Sequence, residues 1–175
     1  ELRPARGQQI TVAYDLEAAV TAMSPKGWRF GSVMPSRQVY AASLAEEHMP
    51  ALAMLGDQPV AYVSVVDYDP RVSVGALVAC CTPSRFGTGS ALPAVATYLL
   101  LSFEVGWIRA LRVDRRFVGE LSLRSLDERG FLEEVGGRFV MTQSSLLRGL
   151  LIFNHRITRA SLPSVGVATS SSTVL

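Results

Sequence analysis

One short stretch constrains this chain more than any other. Val78-Ala79-Cys80-Cys81 runs through Thr82-Pro83-Ser84-Arg85-Phe86 into Gly87-Thr88-Gly89-Ser90-Ala91-Leu92. The apolar run predicts a strand, and the proline with the two glycines predicts a turn. Ser90 is placed to cap a helix that reaches Phe103, with Pro93 tolerated in its first turn. A glycine-rich turn that opens a helix is an anion site. Its backbone N–H groups point outward without partners, and the helix dipole adds partial positive charge. Glycine lets a phosphate come close, because no Cβ stands in the way. Gly-x-Gly before a helix is common, so the weight of the motif rests on its surroundings.

Composition narrows those surroundings. A length of 175 residues points to one domain, and 49% hydrophobic residues can build a large core. Only 18% of residues are charged, a balance suited to a protein that buries part of its surface against partners. The net charge of +2 makes no case for nucleic acid or an anionic membrane. The longest uncharged apolar run, Ser90 to Phe103, is too short to span a bilayer, and the start of the chain has no signal-peptide pattern. Cys80 and Cys81 are neighbours on a strand, so they point to opposite faces and are poorly placed to pair. Free thiols fit a reducing cytoplasm, or a virion assembled in one. His48 and His155 stand far apart without clustered carboxylates, so no metal site is assigned.

Hydrophobic periodicity predicts the order of elements. Gln9 to Tyr14 alternates and reads as a strand, followed by a helix from Leu16 to Met23 with Asp15 as its cap. Ser24-Pro25-Lys26-Gly27 breaks the chain, and Ser36 to Glu47 is a second helix. Pro50 to Leu55, Val60 to Val66 and Val72 to Cys81 form a meander, joined by turns at Gly56-Asp57-Gln58-Pro59 and Asp67-Tyr68-Asp69-Pro70. After the glycine turn and its helix come a strand from Trp107 to Val113, a helix from Leu121 to Glu128, and strands at Glu134 to Thr142 and Leu147 to Phe153. Residues 1–157 are read as the domain and residues 158–175 as an extended tail without helical period. That tail either adds a strand to its own sheet or docks on another subunit, which would make other protein subunits the expected partners.

From Ile10 to Thr142 this order resembles the GNAT acetyltransferase family. The resemblance implies an α/β (α+β) fold with a central mixed, mostly antiparallel sheet flanked by helices. It also implies that the backbone of the glycine turn, Arg85, Phe86, Gly87, Thr88, Gly89, Ser90 and Ala91, holds the pyrophosphate of acetyl-CoA. The family's Gln/Arg-x-x-Gly-x-Gly/Ala pattern fits in two registers. One places Phe86 at the Gln/Arg position and the other places Ser84 there, with Arg85 beside either. The family's acid is a Tyr in a Leu-Tyr-x-x-x-Gly-Phe string. Leu126, before Gly130-Phe131, stands at that position, or Leu132 in a shifted register, and leucine has no proton to give. No carboxylate lies on Val72 to Cys81 where a base is common. Asp67, Asp69 and Asp114 are the nearest, each also a natural turn or cap residue. The strand thiols Cys80 and Cys81 are poor nucleophile candidates.

Leu123-Arg124-Ser125-Leu126, and the segment from Tyr40 to Ala61, are also loosely similar to GNAT-like internal or virion proteins of short-tailed bacteriophages. Two functions follow as expectations. The first is a GNAT-fold structural or interaction component that has lost catalysis, with Phe86 able to plug the phosphate seat. The second is an acyl-CoA-dependent N-acetyltransferase acting on a primary amine, with acetyl-CoA as its cofactor. Arg112, Arg115 and Arg116 cluster after the fifth strand, either as a solvated loop or as a phosphate or subunit contact.

Overall fold

The computed structural model of the chain describes residues 1–24, 28–85, 91–105 and 107–161, with side chains as far as Asn154. The meander is the centre of the molecule: β2 (His48–Leu55), β3 (Gln58–Asp69) and β4 (Val74–Cys81) pair antiparallel in sequence order. A short β1 (Leu2–Pro4) joins the outer edge of β2. On the other side of β4 come β5 (Ala110–Arg112), β7 (Arg138–Thr142) and β6 (Glu133–Val135), giving the order β1-β2-β3-β4-β5-β7-β6. Only the β4–β5 pair is parallel. A parallel neighbour requires a crossover, and α3 (Leu92–Glu104) supplies it.

Alternation along the strands divides the core in two. Leu77, Val63, Val65, Leu111 and Met141 face α3 and the last helix, α6 (Gln143–Ser161), where Tyr98, Leu99, Phe103 and Leu146 meet them. Val78, Cys80, Tyr62 and Leu52 face α1 (Gln9–Met23) and α2 (Arg37–Glu46), packing on Leu16, Val20, Tyr40 and Leu44. The turn after β4 closes with a short 3-10 segment, Pro83–Arg85. Between β5 and β6 lie α4 (Arg115–Val118) and α5 (Glu120–Glu128).

The structure corrects several expectations. The segment from Gln9 to Tyr14 is the first part of α1, not a strand. Its buried residues Ala13, Leu16, Glu17, Val20 and Thr21 recur at helical spacing. Six alternating residues were too short a window, and a charged residue in the buried stripe hid the longer period. Asp15 therefore sits inside the helix and pairs with Arg37 at 2.7 Å instead of capping. Leu147 to Phe153 belongs to α6, which also takes in residues 158–161; residues 162–175, the rest of the expected tail, lie outside the described residues. The start of α6 is a reciprocal cap. Ser145 Oγ accepts from the Thr142 amide at 2.9 Å, and Thr142 Oγ1 accepts from the Ser145 amide at 3.1 Å. The expected strand from Glu134 to Thr142 is a hairpin that turns at Gly136 and Gly137, both with positive φ (58° and 74°), as a two-residue reversal requires. The expected strand from Trp107 to Val113 shortens to β5. The expected turn at Asp67 to Pro70 begins only after β3 has run through Asp69.

Candidate active site

The parallel pair is short. β4 and β5 pair through Val74–Ala110, Gly75–Leu111 and Ala76–Arg112, and there the ladder ends while β4 continues to Cys81. From residue 77 to 81 the edge of β4 facing β5 has no ladder partner among the described residues, although β3 pairs with β4 on the other side along this stretch. The far wall of the gap is α4 and α5, where Val118 is buried.

A cavity of about 430 Å³ fills this gap on the α3 side. Leu77, Ala79 and Cys81 line it from β4, Leu92, Val95 and Leu99 from α3, and Leu121, Ser122, Ser125 and Leu126 from α5. The wall is almost wholly aliphatic, with the two serine hydroxyls as its small polar groups. Arg85 and Ala91, the two ends of the glycine turn, also line the cavity. The other expected phosphate-binding residues, Phe86, Gly87, Thr88, Gly89 and Ser90, lie outside the described residues. Of the two leucines that could occupy the acid position, Leu126 lines the cavity, while Leu132 is buried in the core behind it.

A second cavity, of about 460 Å³, has the opposite chemistry. Asp67, Arg112, Asp114, Arg115, Arg116 and Arg138 supply its polar wall. Adjacent residues divide between the two cavities, and on β4 such neighbours point to opposite faces of the sheet. Ala76 faces the second and Leu77 the first, Phe117 the second and Val118 the first, Leu123 the second and Ser122 the first. A long apolar slot and a polar basin thus meet across the end of the β4–β5 ladder.

No protein-family model matches the sequence, and no curated protein does. Solved structures do match. The spermidine N-acetyltransferase of Vibrio cholerae in complex with CoA and spermine superposes with a TM-score of 0.64 at 16% identity, over 84% of this chain and 97% of that one. The aminoglycoside acetyltransferase AAC(6')-Ib in complex with coenzyme A gives 0.62 at 17% identity, over 84% and 96%. An acetyltransferase of the GNAT family from Streptococcus pneumoniae gives 0.55 at 15% identity, over 81% and 96%. The chain has the GNAT fold. At these identities the likeness extends to the fold and leaves the chemistry to the residues.

Within that GNAT frame the candidate bases separate by environment. Asp69 accepts from the Arg71 amide at 2.9 Å and closes the turn after β3. Asp114 caps α4 through the Arg116 amide and pairs with the Arg116 guanidinium at 3.1 Å. Although burial opposes ionisation, the hydrogen bonds and charge of Arg116 hold its carboxyl below the usual range. Asp67 is the least committed. It sits in a β3 bulge with φ of 50°, and its carboxylate is 3.8 Å from the nearest Arg112 nitrogen, too far for a hydrogen bond. Burial pushes the thiols of Cys80 and Cys81 up, which keeps both protonated and unreactive. Among the described residues, no three metal-ligating side chains cluster, and no helix is long and apolar enough to cross a membrane.

A buried ionic group under α1 and α2 escaped the sequence reading. Arg29 lies between Glu17 (2.9 Å) and Glu47 (2.5 Å), with all three side chains at most 4% exposed. Tyr40 and Trp28 donate to Glu17 at 2.9 and 3.1 Å, and Tyr62 and Ser64 donate to Glu47. Burial pushes the Glu17 carboxyl up to about 7, against the pull of Arg29 and the Tyr40 hydroxyl. The group fastens the connection between α1 and α2 to β3, beside the gap in the sheet. Only three-dimensional proximity reveals it, because its residues lie 11 to 23 positions apart within the α1–α2 region.

Proposed function

We propose that this protein is an acyl-CoA-dependent N-acyltransferase. One observation carries the reading: the β4 edge left open past Ala76 runs beside an apolar slot lined by Arg85 and Ala91, and neighbouring residues line a polar basin. The N–H and C=O groups that residues 77–81 turn away from β3, without ladder partners among the described residues, suit the amide-bearing arm of coenzyme A, and the aliphatic wall suits its carbon chain. Arg85 stands where it can meet the phosphates of the same cofactor. Bound acetyl-CoA supplies the activated acyl group. The chain's own contribution is positioning, which holds an amine on the basin side against an acyl carbon on the slot side. Asp67 is the carboxylate in the basin best placed to receive the proton that an ammonium must lose, since Asp114 is committed to Arg116.

Leu126 sets the expected rate. A departing CoA thiolate resembles an ordinary thiol of pKa about 8.5, so it can leave without a protein acid, but more slowly by a factor of about 10² to 10⁴. The hydroxyls of Ser122 and Ser125 give the slot a weak donor in its place. Release of free thiol from acetyl-CoA in the presence of primary amines tests this directly. The parent chain is expected to turn over slowly. Leu126→Tyr is expected to raise kcat by at least about tenfold, with KM for acetyl-CoA changed by less than about threefold. Thiol release at the uncatalysed rate in both proteins contradicts the reading. The competing reading, an interaction component with a vestigial slot, draws on the same leucine and predicts that null result.

A further inference from the structure

The polar basin is not built for a polycation. Four arginines (Arg112, Arg115, Arg116, Arg138) face two carboxylates (Asp67, Asp114) around one cavity, so the lining carries net positive charge. Arg116 is neutralised by Asp114, with its Nε and Nη2 both on that carboxylate at 3.1 to 3.3 Å. Arg112 has only the distant Asp67, and its buried Nε has no hydrogen-bond partner among the described residues. Arg115 and Arg138 make no side-chain ion pair or hydrogen bond among the described residues. Three arginines without a close carboxylate contact among the described residues thus line the basin, with Asp67 3.8 Å from Arg112. The planar fork of arginine matches a carboxylate or phosphate, and these side chains keep donors to offer one.

The arginines come from separate elements. Arg112 ends β5, Arg115 and Arg116 lie on α4, and Arg138 opens β7. The fold therefore gathers them at one place, whereas a solvated run would come from a single stretch. Three of them were noticed together in the sequence; Arg138 joins only because β7 pairs with β5.

We infer that the amine acceptor of this protein carries an oxyanion, a carboxylate or a phosphate, and that Arg112, Arg115 and Arg138 hold that group while the amine is presented to the slot. This rests on the transferase reading, and it sets the chain apart from the spermidine and aminoglycoside acetyltransferases that share its fold, whose named substrates are polycations. A polycation entering this basin meets like charge.

The test uses four small amines and the full chain labelled with nitrogen-15, following the arginine Nε–H signals by NMR. 4-Aminobutanoate, n-butylamine and 1,4-diaminobutane share a chain length and an amine but end in a negative, a neutral and a positive group. 3-Aminopropylphosphonate distinguishes a phosphate-like from a carboxylate oxyanion. Saturable shifts of the Arg112 and Arg138 signals are expected with the oxyanions, at least about tenfold tighter than with n-butylamine. Arg138→Ala is expected to weaken that binding at least about fivefold without a change in thermal midpoint, because its side chain is exposed. Equal or tighter binding of 1,4-diaminobutane overturns the inference, and so does the absence of a saturable shift with any of the four. Acetyl-CoA is titrated into the same samples. Acetyl-CoA binding without oxyanion preference removes this inference alone, whereas failure of acetyl-CoA to bind removes the transferase reading whatever the amines do.

Discussion

Glu17 shows how a single residue ties stability to pH in this molecule. One arginine, Arg29, sits between two buried carboxylates, so one of the three charges has no counterpart. Glu47 keeps the shorter contact with Arg29, and Glu17 resolves the imbalance by holding a proton up to about pH 7, where an unfolded glutamate holds one only to 4.5. Between those values the folded chain binds a proton that the unfolded chain has released. The stabilisation is therefore complete below pH 4.5 and is lost as pH rises through 7, a change of roughly 3 kcal/mol. Urea unfolding of the parent across that interval is expected to show stability falling with pH relative to Glu17→Gln, whose curve lacks this component. Parallel curves for the two proteins would show that Glu17 is ionised throughout. The sequence could not reveal this group. A glutamate in a helix reads as a solvated residue, and nothing local tells that Arg29 and Glu47 arrive at the same point. The place of Asp67 in the basin likewise depends on a β3 bulge that its sequence neighbours do not announce.

Among the elements, α6 makes the most specific demand on its partners. Gly149 packs so closely on Phe131 that an ideal Cβ there would lie 2.3 Å from the ring's Cδ1. Alanine is the better helix former by about 1 kcal/mol, but overpacking against a buried ring costs about 1 to 3 kcal/mol and reaches further because Phe131 lines the slot. Gly149→Ala is expected to lower stability by up to about 2 kcal/mol, read as a lower urea midpoint at unchanged slope. A neutral or stabilising result would mean that the ring can move aside. Leu147 to Phe153 is a short apolar run, and such runs do not separate strand from helix. The Thr142-x-x-Ser145 cap that precedes the run is the local signal for the helix. The meander, by contrast, was legible from β-branched stretches bounded by Gly, Asp and Pro, and so were α2, α3 and α5 from their periods. β1 and the shortness of β5 were not, since three-residue strands are defined by the neighbour they pair with.

The whole molecule is organised around one irregularity, a parallel rung pair that stops after three residues in an otherwise antiparallel sheet. An open edge there with solvent access would be a cost. This fold instead places an apolar slot on one face of it and a charged basin on the other. Arg85 and Ala91, at the two ends of the strand–turn–helix motif, line the slot, and the residues between them lie outside the described residues. Three of the basin's arginines stand close together in the sequence, whereas Asp67 and Arg138 join them only through the pairing of the strands. We propose that the slot receives an acyl-CoA. Calorimetric titration of acetyl-CoA into the full chain tests it, with Ala79→Phe as the control, because that ring would fill the slot from β4. The account predicts saturable binding with Kd on the order of 10 µM in the parent, weakened at least about tenfold by the substitution. Absence of binding at millimolar acetyl-CoA in the parent, or equal binding in Ala79→Phe, would contradict it.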